Sequence, residues 1–374
     1  MRASIIIASH NEGDLLAKTV SSCIETCSDL DCEIVVADDA STDGSVEAVV
    51  AAFPQVRLCR NDHRQGVSPT KALGARNADG NVLVFLDGHT KPENDSLTRL
   101  VQDVEDLSGA AIVTPAIPAL DVRQWRSDGK QIGNGYSLDL LTFESSWCPL
   151  DAMRPVDNGR KRFYESPAVI GCTLAVARQL YDKLLGFDEH MLYWGVEDLD
   201  FGLKCWLMGN SILHDPEVSV GHRFQMDFEN YSVPPEHVLV NHLRMAYKNF
   251  THEVWAKWMD RCRQRNTGGL AGHPEGLWAH VWHLFNTERA SADQQRAHVH
   301  AGRVRDEFSY AERFGLNWPR MELTQRPASP YMTRFALASP QPERVRPRKP
   351  RRSSPTKPRR TSPTKPRRAK KRAA

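Results

Sequence analysis

Four stretches of this chain put carboxylates and imidazoles where they could bind a cation or move a proton. The run Val82-Leu83-Val84-Phe85-Leu86 leads straight into Asp87-Gly88-His89. A carboxylate and an imidazole two residues apart suit Mn2+ or a similar divalent ion, and the intervening glycine lets backbone approach a ligand. Taken alone the triplet says little, because an acid that closes a strand is often a turn or cap residue. Upstream, Ile34-Val35-Val36-Ala37 runs into Asp38-Asp39-Ala40-Ser41-Thr42-Asp43-Gly44, a second apolar run that ends in acids. Downstream, Phe187-Asp188-Glu189 precedes Tyr193-Trp194-Gly195-Val196-Glu197-Asp198-Leu199-Asp200, and Val220-Gly221-His222-Arg223-Phe224 follows later. The pair Glu197-Asp198 has the makings of general acid–base chemistry, although a helix dipole favours acids in a first turn for purely structural reasons.

These residues need a scaffold, and the first 115 residues supply its pattern. Ser4–Ala8, Glu33–Asp38, Val56–Arg60, Val82–Asp87 and Ala111–Thr114 read as strands. Between them Asp14–Thr26, Ser45–Phe53, Pro69–Ala78 and Glu93–Leu107 carry helical periodicity, with helix starts at Asp43-Gly44-Ser45 and Thr90-Lys91-Pro92. Short strands that are apolar throughout suit a parallel sheet covered on both faces, so repeated β-α units predict a doubly wound α/β fold. Ligands in such folds bind at the carboxyl ends of the strands. Residues 115–165, rich in Gly, Pro and Trp, read as a long irregular connection. Ala168–Val176 returns to strand character, Glu197–Met208 to helix, and Pro235 to about Phe314 is helical, with Trp255, Trp258, Trp278 and Trp282 packing a satellite core.

At this point the chain resembles a known family. The first 225 residues are similar to a GT-A-fold (Rossmann-like) glycosyltransferase of the family 2 type, most of all to the catalytic domain of polypeptide N-acetylgalactosaminyltransferases. The likeness rests on Ser9-His10-Asn11-Glu12, Asp38-Asp39-Ala40-Ser41, Gly66 before a basic helix, the Asp-x-His triplet, Trp194-Gly195-Val196-Glu197 and Val220-Gly221-His222, in that order. It continues through Tyr231-Ser232-Val233-Pro234 to Glu253–Asp260. The resemblance implies a mostly parallel sheet flanked by helices over residues 1–230, a helical extension over 231–326, and a UDP-sugar donor, GalNAc-like in kind. It implies that Asp87, His89 and His222 ligate Mn2+ or a similar divalent cation, with the donor diphosphate completing the shell. Asp39 would accept from the uracil ring, His10, Asn11 and Glu12 would line the nucleoside pocket, and Lys71 or Arg76 would meet the diphosphate. Trp194 and Glu197 would face donor sugar and acceptor. Asp198 stands where the close relatives carry Asn, and an Asp at this place serves inverting members of the wider group as general base, so retention and inversion both stay open.

Bulk properties bear on the acceptor. From Gln341 to Ala374 the chain holds fifteen Lys/Arg and one acid, a net of +14, against a net of −11 in residues 1–340. The sequence Ser354-Pro355-Thr356-Lys357-Pro358-Arg359-Arg360 recurs as Ser362-Pro363-Thr364-Lys365-Pro366-Arg367-Arg368. Residues 327–374 are therefore expected to be a disordered tail, and 341–374 to bind nucleic acid through phosphate neutralisation. Tail and transferase together predict sugar transfer to a hydroxymethylated base of phage-type DNA. The alternatives are O-glycosylation of protein Ser/Thr or of a glycan, and a nucleic-acid-binding protein whose transferase domain is inactive. No stretch has the 18 or so apolar residues of a membrane span, and Ser4–Ala8 is too short for a signal-peptide core, so a cytoplasmic setting in a bacterial or virus-infected cell is expected. The eight cysteines have neither disulfide nor zinc spacing and read as reduced thiols.

Overall fold

The apolar runs of the first half become strands because their residues are buried on both faces: Ile5, Ile6, Ile7, Val35, Val36, Leu83, Val84 and Phe85 are almost wholly covered. The computed structural model describes residues 2–131, 134–224, 231–264 and 275–316. In chain order the first elements are β1 (Ala3–Ser9), α1 (Asp14–Thr26), β2 (Cys32–Asp38), α2 (Ser45–Ala52), β3 (Arg57–Arg60), α3 (Val67–Arg76) and β4 (Val82–Asp87). Then come β5 (Thr90–Pro92), α4 (Ser96–Asp106), β6 (Ala111–Ala116), β7 (Pro118–Asp121), β8 (Arg126–Gln131), β9 (Tyr136–Leu138) and β10 (Ser145–Trp147). The remainder are β11 (Arg154–Asp157), β12 (Arg162–Glu165), β13 (Thr173–Ala177), α5 (Arg178–Lys183), α6 (Glu197–Leu207) and β14 (Ser211–His222). Five helices follow: α7 (Pro235–Asn249), α8 (His252–Gln264), α9 (Glu275–Thr287), α10 (Arg289–Gly302) and α11 (Glu307–Arg313).

The main sheet runs β11-β12-β14-β6-β13-β4-β1-β2-β3. Strands β4, β1, β2 and β3 are parallel, with Ser9 beside Asp38 and Ala8 beside Asp87, so the chemistry-bearing strand ends share one edge. The sheet is mixed, because β13 enters antiparallel between β4 and β6. Helix α4 shows why these helices pack: Leu97, Leu100, Val101 and Val104 recur at helical spacing and all are buried.

Two expectations change. Thr90-Lys91-Pro92 does not open a helix. It is the short strand β5, antiparallel to β14, and α4 starts only at Ser96, after Asp95. Residues 115–165 are not one irregular connection but contribute the six strands β7 to β12, each of three to six residues. Strands this short gain their pairing from distant chain, as when β12 docks on β14, so local periodicity cannot reveal them.

Helices α7, α9 and α10 pack together, and α7 also lies on α6. Their core joins Trp206, Leu243, Phe250, Val254, Trp258 and Phe285. Trp255 and Trp282 pack against it, while the Trp278 side chain lies outside the described residues. All described residues fall in one unit, Met1–Phe335, and the expected tail over 327–374 lies outside the described residues. The seven described cysteines are free thiols, and no described helix is long and apolar enough to cross a membrane.

Candidate active site

Asp87 closes β4, and Gly88-His89 turns the chain into β5. That turn is held from α1, where the Thr19 hydroxyl donates to the carbonyls of Gly88 (3.0 Å) and Thr90 (2.9 Å). Pairing of β5 with β14 then sets Thr90 opposite His222, which delivers an imidazole from far along the chain to the Asp-x-His turn. Ligand atoms of Asp87, His89 and His222 all come within 4.8 Å of one another. His222 Nε2 lies 3.6 Å from Asp87 Oδ2, and the two imidazole rings are 5.0 Å apart.

Asp87 and His222 are held in the forms that bind a cation, whereas His89, whose pKa is raised, gives up a proton on binding one. Burial holds the His222 imidazole below its usual pKa, hence neutral, and both of its ring nitrogens are buried without a hydrogen-bond partner. A buried imidazole with two orphaned nitrogens is costly unless something else coordinates it. Burial works against the Asp87 carboxylate, but Lys71, His222 and His89 outweigh it and keep it well below the usual range, hence charged. Burial likewise opposes charge on His89, and Glu12 overcomes it through an Oε2–Nδ1 contact of 2.9 Å. That contact fixes the ring and leaves Nε2 free to point elsewhere, the usual arrangement for an imidazole ligand. Gly88 makes it sterically possible: a Cβ there would sit 2.8 Å from Glu12 Cγ. Replacing Glu12 by glutamine should therefore weaken Mn2+ binding roughly 10- to 100-fold. Titration of free Mn2+ by electron paramagnetic resonance reads this directly, and an unchanged affinity would detach Glu12 from the site.

Lys71 lies beneath this group and is fully buried. Its Nζ is 3.2 Å from Asp87 Oδ1 and donates to the Gly171 carbonyl at 2.7 Å. Burial opposes its charge, but Asp87, Glu197 and Asp198 keep its pKa above the ordinary value. Arg76, five residues further along α3, projects from a different face of that helix and pairs with Glu189 at the surface. The structure thus brings Lys71 to the site and leaves Arg76 out.

The segment before α6 is strained. Tyr193, Gly195 and Val196 all have positive φ, of 61°, 117° and 60°. Non-glycine residues in that region concentrate at functional loops. Here the left-handed Val196 leads directly into α6, which starts on Glu197. The Glu197 carboxylate accepts from the Gly195 amide at 3.1 Å, and the Asp198 carboxylate accepts from the amides of Gly171 (2.9 Å) and Leu199 (2.8 Å). Burial raises both acids, Glu197 to about 7 with Asp198 adding to the shift. Asp200 is a different matter: it is buried against Lys248 (2.9 Å) and Asn249 (2.7 Å).

The remaining expected donor residues cluster at the ends of β1 and β2. Asn11 accepts from the Thr42 amide (2.8 Å), and His10 Nδ1 contacts the Asp39 carbonyl (2.6 Å). Beside them Asn11, Glu12, Thr42, Asp43 and Arg223 line an open groove. The Asp39 carboxylate is already engaged by Asn61 Nδ2 (3.0 Å) and by the amides of Gln65 and Gly66 (both 2.7 Å). A carboxylate has about four acceptor positions, so one remains for a ligand. Sequence reading missed the loop-holding part of Asp39's work, since nothing local marks residues 61–66 as its partners.

Two family models match this chain. Glycosyl transferase family 2 covers residues 4–185, and the N-terminal domain of galactosyltransferase covers residues 158–229. Mouse polypeptide N-acetylgalactosaminyltransferase 12 is 30% identical over 245 residues, covering 60% of this chain and 40% of that protein. Rat polypeptide N-acetylgalactosaminyltransferase 10 is 30% identical over 262 residues, covering 67% of this chain and 42% of that protein. The chain thus spans less than half the length of the curated relatives it matches. Among solved structures, GalNAc-T7 with UDP, GalNAc and Mn2+ shares the fold at a TM-score of 0.60 and 22% identity, over 77% of this chain and 54% of that one. The chain therefore belongs to the family 2-type, GT-A-fold glycosyltransferases and is similar to the catalytic domain of the polypeptide N-acetylgalactosaminyltransferases.

Proposed function

We propose that this protein transfers a sugar, GalNAc-like in kind, from a UDP-sugar to an acceptor hydroxyl in a reaction that depends on a divalent cation, Mn2+ or similar. The observation that carries the reading is the convergence of Asp87, His89 and His222, with both His222 nitrogens buried and unpartnered. One carboxylate and two imidazoles are an apt donor set for such an ion, and when bound it would neutralise the departing nucleoside diphosphate. GalNAc-T7, which shares the fold, was solved with UDP, GalNAc and Mn2+. In this reading the groove beside Asn11, Glu12 and Arg223 takes the nucleoside, Asp39 offers its remaining acceptor position to the base, and Trp194 borders the sugar. Asp198 takes the acceptor proton as general base while Glu197 faces donor sugar and acceptor, since a buried acid with a raised pKa is matched to accept a proton.

For the acceptor we propose a hydroxymethylated base in DNA, on the strength of the +14 charge between Gln341 and Ala374. Such a base would leave the stack to reach the donor. A polypeptide hydroxyl is the second reading, favoured by the names of the two relatives. Labelled UDP-GalNAc, UDP-Glc and UDP-Gal, each with Mn2+, should be incubated with hydroxymethylated DNA and with Ser/Thr peptides. We expect label on the DNA, transfer that falls steeply with salt, and an inverted anomer in the product by NMR. Label on peptides alone selects the second reading, and a retained anomer removes Asp198 as base. If no UDP-sugar is even hydrolysed while the chain still binds DNA, the reading as a nucleic-acid binder with an inactive transferase domain takes its place.

A further inference from the structure

The cysteines that spacing alone reads as reduced thiols are not alike once folded. Cys59 and Cys205 donate to the carbonyls of Val36 (3.7 Å) and Ser211 (3.6 Å). Cys23, Cys27 and Cys32 instead gather where α1 ends and β2 begins, at the opposite end of α1 from Glu12. Cys23 and Cys27 lie one helical turn apart on the face of α1 that packs into the core. Cys27 closes the helix, its N–H donating to the Cys23 carbonyl (3.0 Å). The chain then turns back at once. Leu30 N–H donates to the Cys27 carbonyl (3.0 Å) and Ala3 N–H to the Asp31 carbonyl (2.9 Å), and Cys32 enters the sheet opposite Ala3. Held at both ends, this turn brings the Cys27 and Cys32 thiols into a hydrogen bond with each other, the only thiol–thiol hydrogen bond among the described cysteines.

The two thiols differ in access, since Cys27 is buried and Cys32 only half-buried. The hydrogen bond from Cys27 holds Cys32 below its ordinary thiol pKa, against burial and the neighbouring Asp31 and Glu33 carboxylates. The same contact, together with burial, pushes Cys27 up. Cys32 is therefore the thiol that an oxidant reaches and the better nucleophile, with Cys27 poised behind it to resolve the product. Cys23 is wholly buried and cannot replace Cys32, because Cβ atoms one helical turn apart stand wider than a disulfide spans.

We infer that Cys27 and Cys32 are a site of reversible oxidation, at which a peroxide joins them in a disulfide that staples the end of α1 to the start of β2. The Cys32 thiolate attacks the O–O bond of hydrogen peroxide, giving a sulfenic acid and hydroxide. The Cys27 sulfur loses its proton and displaces the sulfenic hydroxyl, which leaves as water. Two thiols and one hydrogen peroxide thus give one disulfide and two waters, and a dithiol such as dithiothreitol reverses the bond by exchange. The staple bears on the rest of the fold through α1, whose Thr19 holds the Gly88–Thr90 turn. It needs neither cation nor donor, so failure of the proposed function leaves it standing.

The full chain, reduced and freed of reductant, should be treated with hydrogen peroxide without denaturant, alkylated, digested and mapped by mass spectrometry, and its melting point taken. We expect a Cys27–Cys32 crosslink that dithiothreitol removes, and a melting point about 3 °C higher while the crosslink lasts, as closing so short a loop should give. Cys27→Ser should stop at a sulfenic acid on Cys32 that dimedone traps, whereas Cys23→Ser should crosslink as the wild type does. If Cys27→Ser does not fold, the wild-type map decides alone. Cys27 and Cys32 both still open to alkylation after peroxide overturn the site, and so does a crosslink that includes Cys23. A Cys27–Cys32 bond that leaves the melting point unmoved or lowers it overturns the staple.

Discussion

Asp87→Asn should abolish Mn2+-dependent UDP-sugar hydrolysis, with turnover falling about a thousandfold or more, the size expected when several kcal/mol of charge stabilisation is lost. Asp87 is the one carboxylate in a trio whose other members are imidazoles, so it supplies the trio's only formal negative charge. It is also the nearest counter-ion of Lys71, which is fully buried. Without the carboxylate the ammonium stays in place and repels an incoming cation across the same few ångströms. His222→Ala removes one neutral ligand and leaves that balance intact, so its loss should be smaller and partly recovered at high Mn2+ concentration. Chelation of the wild type should match the Asp87→Asn level and reverse on adding Mn2+. Turnover within tenfold of wild type in Asp87→Asn would show that these three residues do not hold the ion.

The largest effect on stability is expected at Asp188, shortly before the strained segment that begins at Tyr193. Its carboxylate is completely buried and accepts from Arg244 Nε and Nη2 (both 2.9 Å) and from Lys248 Nζ (2.6 Å). Lys248 bridges on to Asp200, and Lys204 sits 3.7 Å from that acid while donating to the Gly186 carbonyl. Three buried cations thus share two buried acids. Burial lowers Lys204 to about 8, which relieves part of the positive excess. Removing one partner of a buried pair leaves an uncompensated charge, at a cost of roughly 3–5 kcal/mol. Asp188→Ala should therefore melt roughly 5–8 °C below wild type, given the entropy of unfolding a body of this size. Burial opposes the Asp188 charge, but Lys248 and Arg244 overcome it and hold the acid far below its ordinary pKa. Its stabilisation is therefore complete above the unfolded value of about 4 and is lost as pH falls below that toward the depressed folded value. A melting point for Asp188→Ala within 2 °C of wild type would deny the network this part; the threshold is about a third of the expected shift.

Much of this was legible in the chain, and the boundary is physical. Asp38, Asp39, Asp87 and His89 could be placed at one sheet edge because each ends an apolar run, and parallel strands present their carboxyl ends together. Helix α1 could be bounded at Asp14–Thr26 from periodicity alone. What stayed hidden depends on partners remote in sequence. Residues 90–92 form a strand only because β14 lies alongside, and their Pro and polar residues otherwise mimic a helix start. Lys71 and Arg76 look equivalent on paper, yet one turns inward beneath Asp87 and the other meets solvent beside Glu189. The Asp188 acid reads as a companion of the Trp194–Glu197 motif, whereas its partners come from α7. Glu12 was placed in the nucleoside pocket by resemblance, and the structure adds its contact with His89.

The pairing of β5 with β14 carries a consequence for the chain as a whole. His89 and His222 bracket the entire middle of the protein, and only three register pairs of backbone join the two strands at that point. A cation shared by Asp87, His89 and His222 would act as a clasp on one very long loop. The entropy of closing that loop is already met by the sheet, so the ion's binding energy would appear as added resistance to unfolding. At a hundred times its dissociation constant this amounts to about 2.7 kcal/mol. Metal supply would then govern how long the folded chain persists, even when no donor is present to be consumed.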